Sequence, residues 1–186
     1  MINLIEHEEP SIIELDLKKI AWQNIIMTVG LMIGLILLNG WIHKVLELHF
    51  SFLSILLFIV YYIILIVLHE IFHLIGFMIF GKVPFRSLDY GVNLKMGVAY
   101  ATTKEPICNK AMKKALLLPF WTTGVIPAAF GLYFNSTMLV VLGAWLIAGA
   151  VGDFAMYFAL RKYPNTYWVK DDPDFPRLYL YKNKTY

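Results

Sequence analysis

The sequence predicts an all-α polytopic membrane protein with four transmembrane helices and a short cytoplasmic-side β segment or hairpin between helices 2 and 3. Three observations carry that expectation. Four apolar runs are each long enough to cross roughly 30 Å of hydrocarbon at about 1.5 Å per residue. Hydrophobic residues make up 59% of the 186 and charged residues only 16%, with mean hydropathy +0.65, whereas soluble domains are roughly half apolar and a quarter charged. Fifteen of the sixteen Lys and Arg residues also fall on one side of the resulting topology.

Taken in order, the chain opens with an acidic leader carrying Glu6, Glu8, Glu9, Glu14 and Asp16, which is unlike a secretory signal peptide. The first span runs from about Ile20 to Ile42 and contains Gly30-Leu-Met-Ile-Gly34, a close-packing pattern that suits either a dimer face or tight packing within the monomer. The second runs from about Phe50 to Phe80, longer than a bilayer requires, so a tilt or a water-exposed end is expected. The third covers about Ala115–Phe134 and the fourth about Thr137–Leu160. Only Asn135-Ser136 separates them, which predicts a tight antiparallel hairpin and makes the sequon Asn135-Ser-Thr137 a coincidence beside the bilayer. Residues 161–186 form a tail, and the length fits one domain, 1–186.

Orientation follows from the basic residues. Lys18 and Lys19 precede the first span, seven Lys or Arg lie in the 81–114 loop and six in the tail, leaving only Lys44 on the other side. The positive-inside rule therefore puts both termini in the cytoplasm. The net charge of +3 is explained by these flanks, which argues against nucleic acid as a partner. A single cysteine, Cys108, excludes an internal disulfide.

The loop 83–103 alternates: Leu88, Tyr90, Val92, Leu94, Met96, Val98 and Tyr100 are apolar at every even position. Period two predicts extended structure with one greasy face, bent or folded into a hairpin near Gly91 or Gly97. It lies on the bilayer surface or offers an exposed edge to an extended peptide, with Val98 and Tyr100 as candidate substrate-binding residues.

Within the second span stands His69-Glu70-Ile-Phe-His73, an H-E-x-x-H pattern. On a helix the two histidines lie about 40° apart and one turn along the axis, so both imidazoles reach one ion. Glu70 falls about 100° from His69 on the same side as His73, placed to act on a water there without being a ligand. Zinc usually takes three protein ligands plus water, so a third must come from elsewhere. Glu70 and Asp153 are the only acids inside the spans, and each costs roughly 2.5–3.5 kcal/mol to insert, which argues that neither is idle. Asp153 is eight residues from Arg161, and His73 is nine from Lys82. Both therefore lie at similar depths of roughly 12–13.5 Å, which makes Asp153 the preferred third ligand. His7, His43 and His49 read as surface histidines. The prolines, Thr122, Thr123 and Gly124 in Leu118-Pro-Phe-Trp-Thr-Thr-Gly-Val-Ile-Pro127 suit a broken helix beside a wet cavity, or an ordinary proline kink.

With Ala150-Val-Gly-Asp153 in the last span, Pro119 in the third and the tail Asp171-Asp-Pro-Asp-Phe-Pro176, the sequence resembles a zincin-peptidase family of bacterial membrane proteins, related to site-2-protease-type intramembrane metalloproteases. The resemblance implies a zinc-dependent peptidase of the bacterial cell membrane, with His69, His73 and Asp153 as zinc ligands. It implies Glu70 as catalytic acid/base, taking a proton from an activated water and handing it to the leaving amine. Site-2 proteases set their ligand Asp in Leu-Asp-Gly. Here Gly152 precedes it and Phe154 follows, so no substrate-binding detail carries over. The expected partners are a membrane-protein or peptide substrate and the lipid bilayer.

Other readings stay open from the residues. The histidines could be hydrogen-bonded across a bundle with Glu70 protonated. The site could bind metal without proteolysis, or relay ions in a transporter, although no inverted repeat is visible. A metalloprotease with Glu as third ligand would have to use Glu105, in the basic loop. Asp171, Asp172 and Asp174 read as a solvated turn among prolines, or as a cap on the site or a partner's contact.

Overall fold

The computed structural model describes residues 10–46, 51–93, 98–172 and 175–182. The chain is mostly helical, with four helices long and apolar enough to cross a membrane. Helix α1 is Leu17–His43 and α2 is Phe52–Gly81. The third span, Asn109–Tyr133, is composite: α3 (Asn109–Pro119), a π-helix (Phe120–Val125) and α4 (Ile126–Tyr133). The fourth comprises α5 (Thr137–Gly149) and α6 (Val151–Leu160), which meet at Ala150. Around them run strands β1 (Ser11–Glu14), β2 (Leu88–Asn93), β3 (Val98–Thr103), β4 (Ile107–Cys108), β5 (Trp168–Asp171) and β6 (Arg177–Tyr181).

Helix α1 is apolar nearly all round, the pattern of a helix facing hydrocarbon rather than a soluble core. Its exposed Trp22 and Trp41 are nineteen positions apart, roughly 28 Å along the axis, the spacing of two interfacial aromatic belts. Helix α2 ends by local chemistry. Lys82 takes a left-handed conformation at φ 54°, and the Val83 N–H reaches back to the Phe77 carbonyl at 3.3 Å, which satisfies a terminal acceptor.

The chain falls into two compact units. One comprises Met1–Leu17, Glu70–Leu118 and Asp153–Tyr186. Its core joins Phe77, Ile107, Met112, Ala115, Leu116, Leu160, Val169, Leu178 and Leu180. It holds a four-stranded antiparallel sheet, order β1-β6-β5-β4, assembled from the leader, the tail and the segment before α3. Asn109, fully buried, donates from Nδ2 to the carbonyls of Leu160, Tyr163 and Pro164 at 2.9–3.1 Å. That amide ties the start of α3 to the end of α6.

The other unit comprises Lys18–His69 and Pro119–Gly152. Here α4 and α5 pack backbone to backbone: a Cβ at Gly143 would fall 2.6 Å from the Ala128 Cβ, and one at Gly131 2.5 Å from the Val140 nitrogen. The turn between them is as tight as expected, with Asn135 at φ 52° and the Ser136 hydroxyl accepting from the Leu139 N–H at 3.5 Å. Asn39 donates to the Asn135 side chain at 2.7 Å. His43, expected as a surface histidine, instead holds the Leu132 carbonyl at 2.7 Å through Nε2; His7 and His49 lie outside the described residues. A Cβ at Gly30 or Gly34 meets nothing within 4 Å, so those glycines serve no close packing among the described residues.

Three expectations need correction. The sheet was not foreseen, because its strands are short and their partners distant in sequence; in Arg177-Leu-Tyr-Leu-Tyr181 the inward leucines alternate with tyrosines, which hides the period. Residues 171–172, read as part of a solvated turn, end β5 and anchor the tail: Asp172 accepts from Arg177 Nε at 2.8 Å and from the Tyr179 hydroxyl at 2.9 Å. The third helix begins at Asn109, not Ala115, since Lys110, Lys113 and Lys114 break the apolar run while Ala111, Met112 and Ala115 still face the core.

The loop 83–103 does form an antiparallel hairpin, with Gly91 inside β2 opposite Tyr100 and Asn93 opposite Val98. Residues 94–97 lie outside the described residues. The pairing matches odd with even positions, so Tyr90 and Val92 share a face with Ala101 and Ala99, while Tyr100 lies on the opposite face. A single greasy face is therefore not formed.

Candidate metal centre

Helix α2 carries His69, Glu70 and His73 on one unbroken helix, and the boundary between the two compact units falls between His69 and Glu70. The His69–His73 separation is thus set by helical geometry alone. Asp153 stands in the first turn of α6, where the positive end of the helix dipole favours a carboxylate. His73 Nε2 and Asp153 Oδ1 are 3.3 Å apart, and their side chains are only 7% and 12% exposed. One ligand atom from each of His69, His73 and Asp153 lies within 4.8 Å of the others, close enough to hold one metal ion.

Each imidazole has a second attachment. His73 Nδ1 donates to the Ala115 carbonyl at 3.2 Å. His69 Nδ1 lies 3.2 Å from the Thr123 hydroxyl, and that hydroxyl donates to the Pro119 carbonyl at 2.9 Å. A hydroxyl has one hydrogen. With it committed to Pro119, Thr123 accepts from His69. Both rings thereby hold their proton on Nδ1, so Nε2 is the nitrogen offered to a cation, the arrangement found around metal-binding histidines. Glu70, half-buried, lies near enough to His73 for its charge to act on that ring.

The tail contributes a further acid. Asp171, at the end of β5 and partly buried, lies within the electrostatic reach of both His73 and Asp153. Burial pushes its carboxyl up to about 7. The Asp172 N–H opposes that rise, as does His73 whenever its ring is doubly protonated, and the charges of Asp172 and Asp153 add to it.

Tyr100, a candidate substrate contact, lies across the hairpin over Gly91, where an added Cβ would come within 3.0 Å of its hydroxyl. Val98 belongs to β3, but its side chain lies outside the described residues. Among the described residues β3 pairs only with β2.

Sequence reasoning overlooked Ala115 and the individual role of Thr123, and offered Asp171 only as one of three tail acids in a solvated turn or a cap on the site. Thr123 left a trace as a hydroxyl between two prolines in an apolar span. Asp171 left only its place in an acidic run. Ala115 acts through a backbone oxygen, which no side-chain pattern reveals.

A protein-family model described as "Putative zincin peptidase" matches residues 62–168, a stretch that holds His69, Glu70, His73, Ala115, Thr123 and Asp153. Comparison with curated proteins and with solved structures gives no match.

Proposed function

The chain belongs to the "Putative zincin peptidase" family, and from that premise we propose that it is a zinc-dependent, membrane-embedded endopeptidase of the site-2-protease kind. It hydrolyses a peptide bond of a membrane-protein or peptide substrate within or near the cytoplasmic leaflet. The single observation that carries the reading is the convergence of His69, His73 and Asp153 on one point. Two imidazole Nε2 atoms and a carboxylate form a donor set that zinc accepts, leaving a fourth position for water or substrate. The fit is supported by the Nδ1 attachments, which turn Nε2 of each ring the other way, that of His73 lying 3.3 Å from Asp153 Oδ1.

When bound, zinc would polarise the scissile carbonyl and bring the pKa of a water toward 7. The chain supplies the rest. Glu70, between the two ligand histidines, takes the proton of the attacking water on its carboxylate and returns it to the leaving amine nitrogen. His69, His73 and Asp153 hold the site rigid. The π-helix and prolines of the third span loosen the backbone ladder and suit a water path from the cytoplasmic side.

A substrate helix has its carbonyls occupied, so cleavage requires an unwound segment. The edge of β3, with Val98 and Tyr100, would hold that segment extended by strand addition. Lipid surrounds α1 and α2, and nucleic acid has no place in this reading.

The test is metal content and turnover of detergent-purified full-length protein. Wild type should carry about one zinc per chain, lost in His69→Ala and in Asp153→Ala. Glu70→Gln should keep the zinc and lose peptide hydrolysis. Zinc-free wild type prepared without chelators would overturn the reading in favour of ion relay through the same residues.

A further inference from the structure

The third span is interrupted where it passes the two histidines, and at each interruption a backbone carbonyl takes a side-chain donor. In an α-helix the Ala115 carbonyl would accept the N–H of residue 119. That residue is Pro119, which has no N–H and whose ring crowds the carbonyl four residues back, tilting it off the axis. The acceptor that proline strips of its helical donor is the one His73 Nδ1 occupies at 3.2 Å. Gly76, one turn beyond His73, permits the approach: a Cβ there would stand 2.8 Å from the Ala115 Cα.

The second interruption works through the π-helix. Its backbone bonds reach five residues back, as the Ile126 N–H does to the Trp121 carbonyl. In α-geometry the Pro119 carbonyl would be tied to Thr123's own N–H. In the π pattern that place passes to the N–H five residues on, and the Thr123 hydroxyl also donates to the carbonyl, at 2.9 Å. The hydroxyl proton is thereby consumed, and the oxygen presents only lone pairs to His69 Nδ1. Thr123 is 1% exposed, so water does not compete for it.

We propose that Pro119 and Thr123 are positioning residues of the metal centre: the broken third span exists to lock His73 and His69 as Nδ1–H imidazoles, with Nε2 turned to the ion. The proposal rests on the zinc reading above and deepens it. Proline here acts by a missing donor, and threonine by a donor already spent.

Two readouts on the full-length protein test it. The first is the ¹⁵N signature of the histidine rings in metal-free protein, which distinguishes Nδ1–H from Nε2–H. In wild type both His69 and His73 should carry hydrogen on Nδ1, and Thr123→Val should release His69 from that form without altering His73. The second is zinc affinity measured by chelator competition. Thr123→Val should weaken it about 10- to 100-fold, the usual effect of removing a ligand's outer partner, while Thr123→Ser, which keeps the hydroxyl, stays close to wild type. Pro119→Ala should weaken it in the same direction. Wild-type His69 protonated on Nε2 alone, or Thr123→Val with unchanged ring form and unchanged affinity, would overturn the proposal. A wild type that binds no zinc would instead sink the zinc reading, and the ring signatures would still decide this one.

Discussion

Gly76 is the position where a single added methyl group bears directly on the His73 anchor. In Gly76→Ala the new Cβ would lie 2.8 Å from the Ala115 Cα and 2.9 Å from its Cβ, whereas carbon atoms rest about 3.5–4.0 Å apart. The backbones of α2 and α3 must therefore separate by about 1 Å at this level. The His73–Ala115 bond, 3.2 Å long, then stretches to roughly 4 Å, beyond hydrogen-bonding range. Two consequences follow from that displacement. Overpacking should cost about 1–3 kcal/mol of stability, read as a lower midpoint in thermal unfolding of the metal-free protein. Loss of the His73 anchor should weaken zinc binding about 10- to 100-fold, read by chelator competition. Gly30→Ala is the matched control, since a Cβ there meets nothing within 4 Å, and it should leave zinc affinity unchanged. Wild-type zinc affinity in Gly76→Ala would refute the argument that backbone approach at Ala115 orients His73.

Two further outcomes are expected. Proline or a charged residue at Val98 or Tyr100 should abolish cleavage while zinc stays bound, because proline removes a ladder N–H from the proposed docking edge; retained turnover would remove β3 from the mechanism. Asp171, raised in the fold from its usual 3.8 to about 7, keeps its proton in folded metal-free protein over a pH window where the unfolded chain has lost it. Stability therefore falls as pH rises through that window, and the loss is complete above about 7. Asp171→Asn escapes this, so its thermal midpoint should gain on wild type between pH 5 and pH 8; a gain independent of pH would show that the carboxylate is not the cause.

Much of this protein is local in origin and therefore legible from residue order. Apolar runs delimit α1, α2, α5 and α6, because the length and hydrophobicity that suit a bilayer need no partner to be recognised. The spacing of His69 and His73 is likewise a property of one helix, and Glu70 comes with it. Asp153 was reachable by depth, since both spans could be counted from their basic flanks. What the tertiary structure decided are the relations between segments far apart in the chain. Two residues before α3, nine in the tail and four in the leader make one sheet, and no periodicity within strands of two to five residues foretells that. The hairpin's register puts Tyr90 and Tyr100 on opposite faces, a matter settled by how its ends pair and not by alternation along the loop. The orientation of the two imidazoles depends on a carbonyl at Ala115 and a hydroxyl at Thr123. Hydropathy and motif spacing act along the chain, but a hydrogen bond 42 or 54 residues distant exists only once the backbone of the third span has been brought against α2.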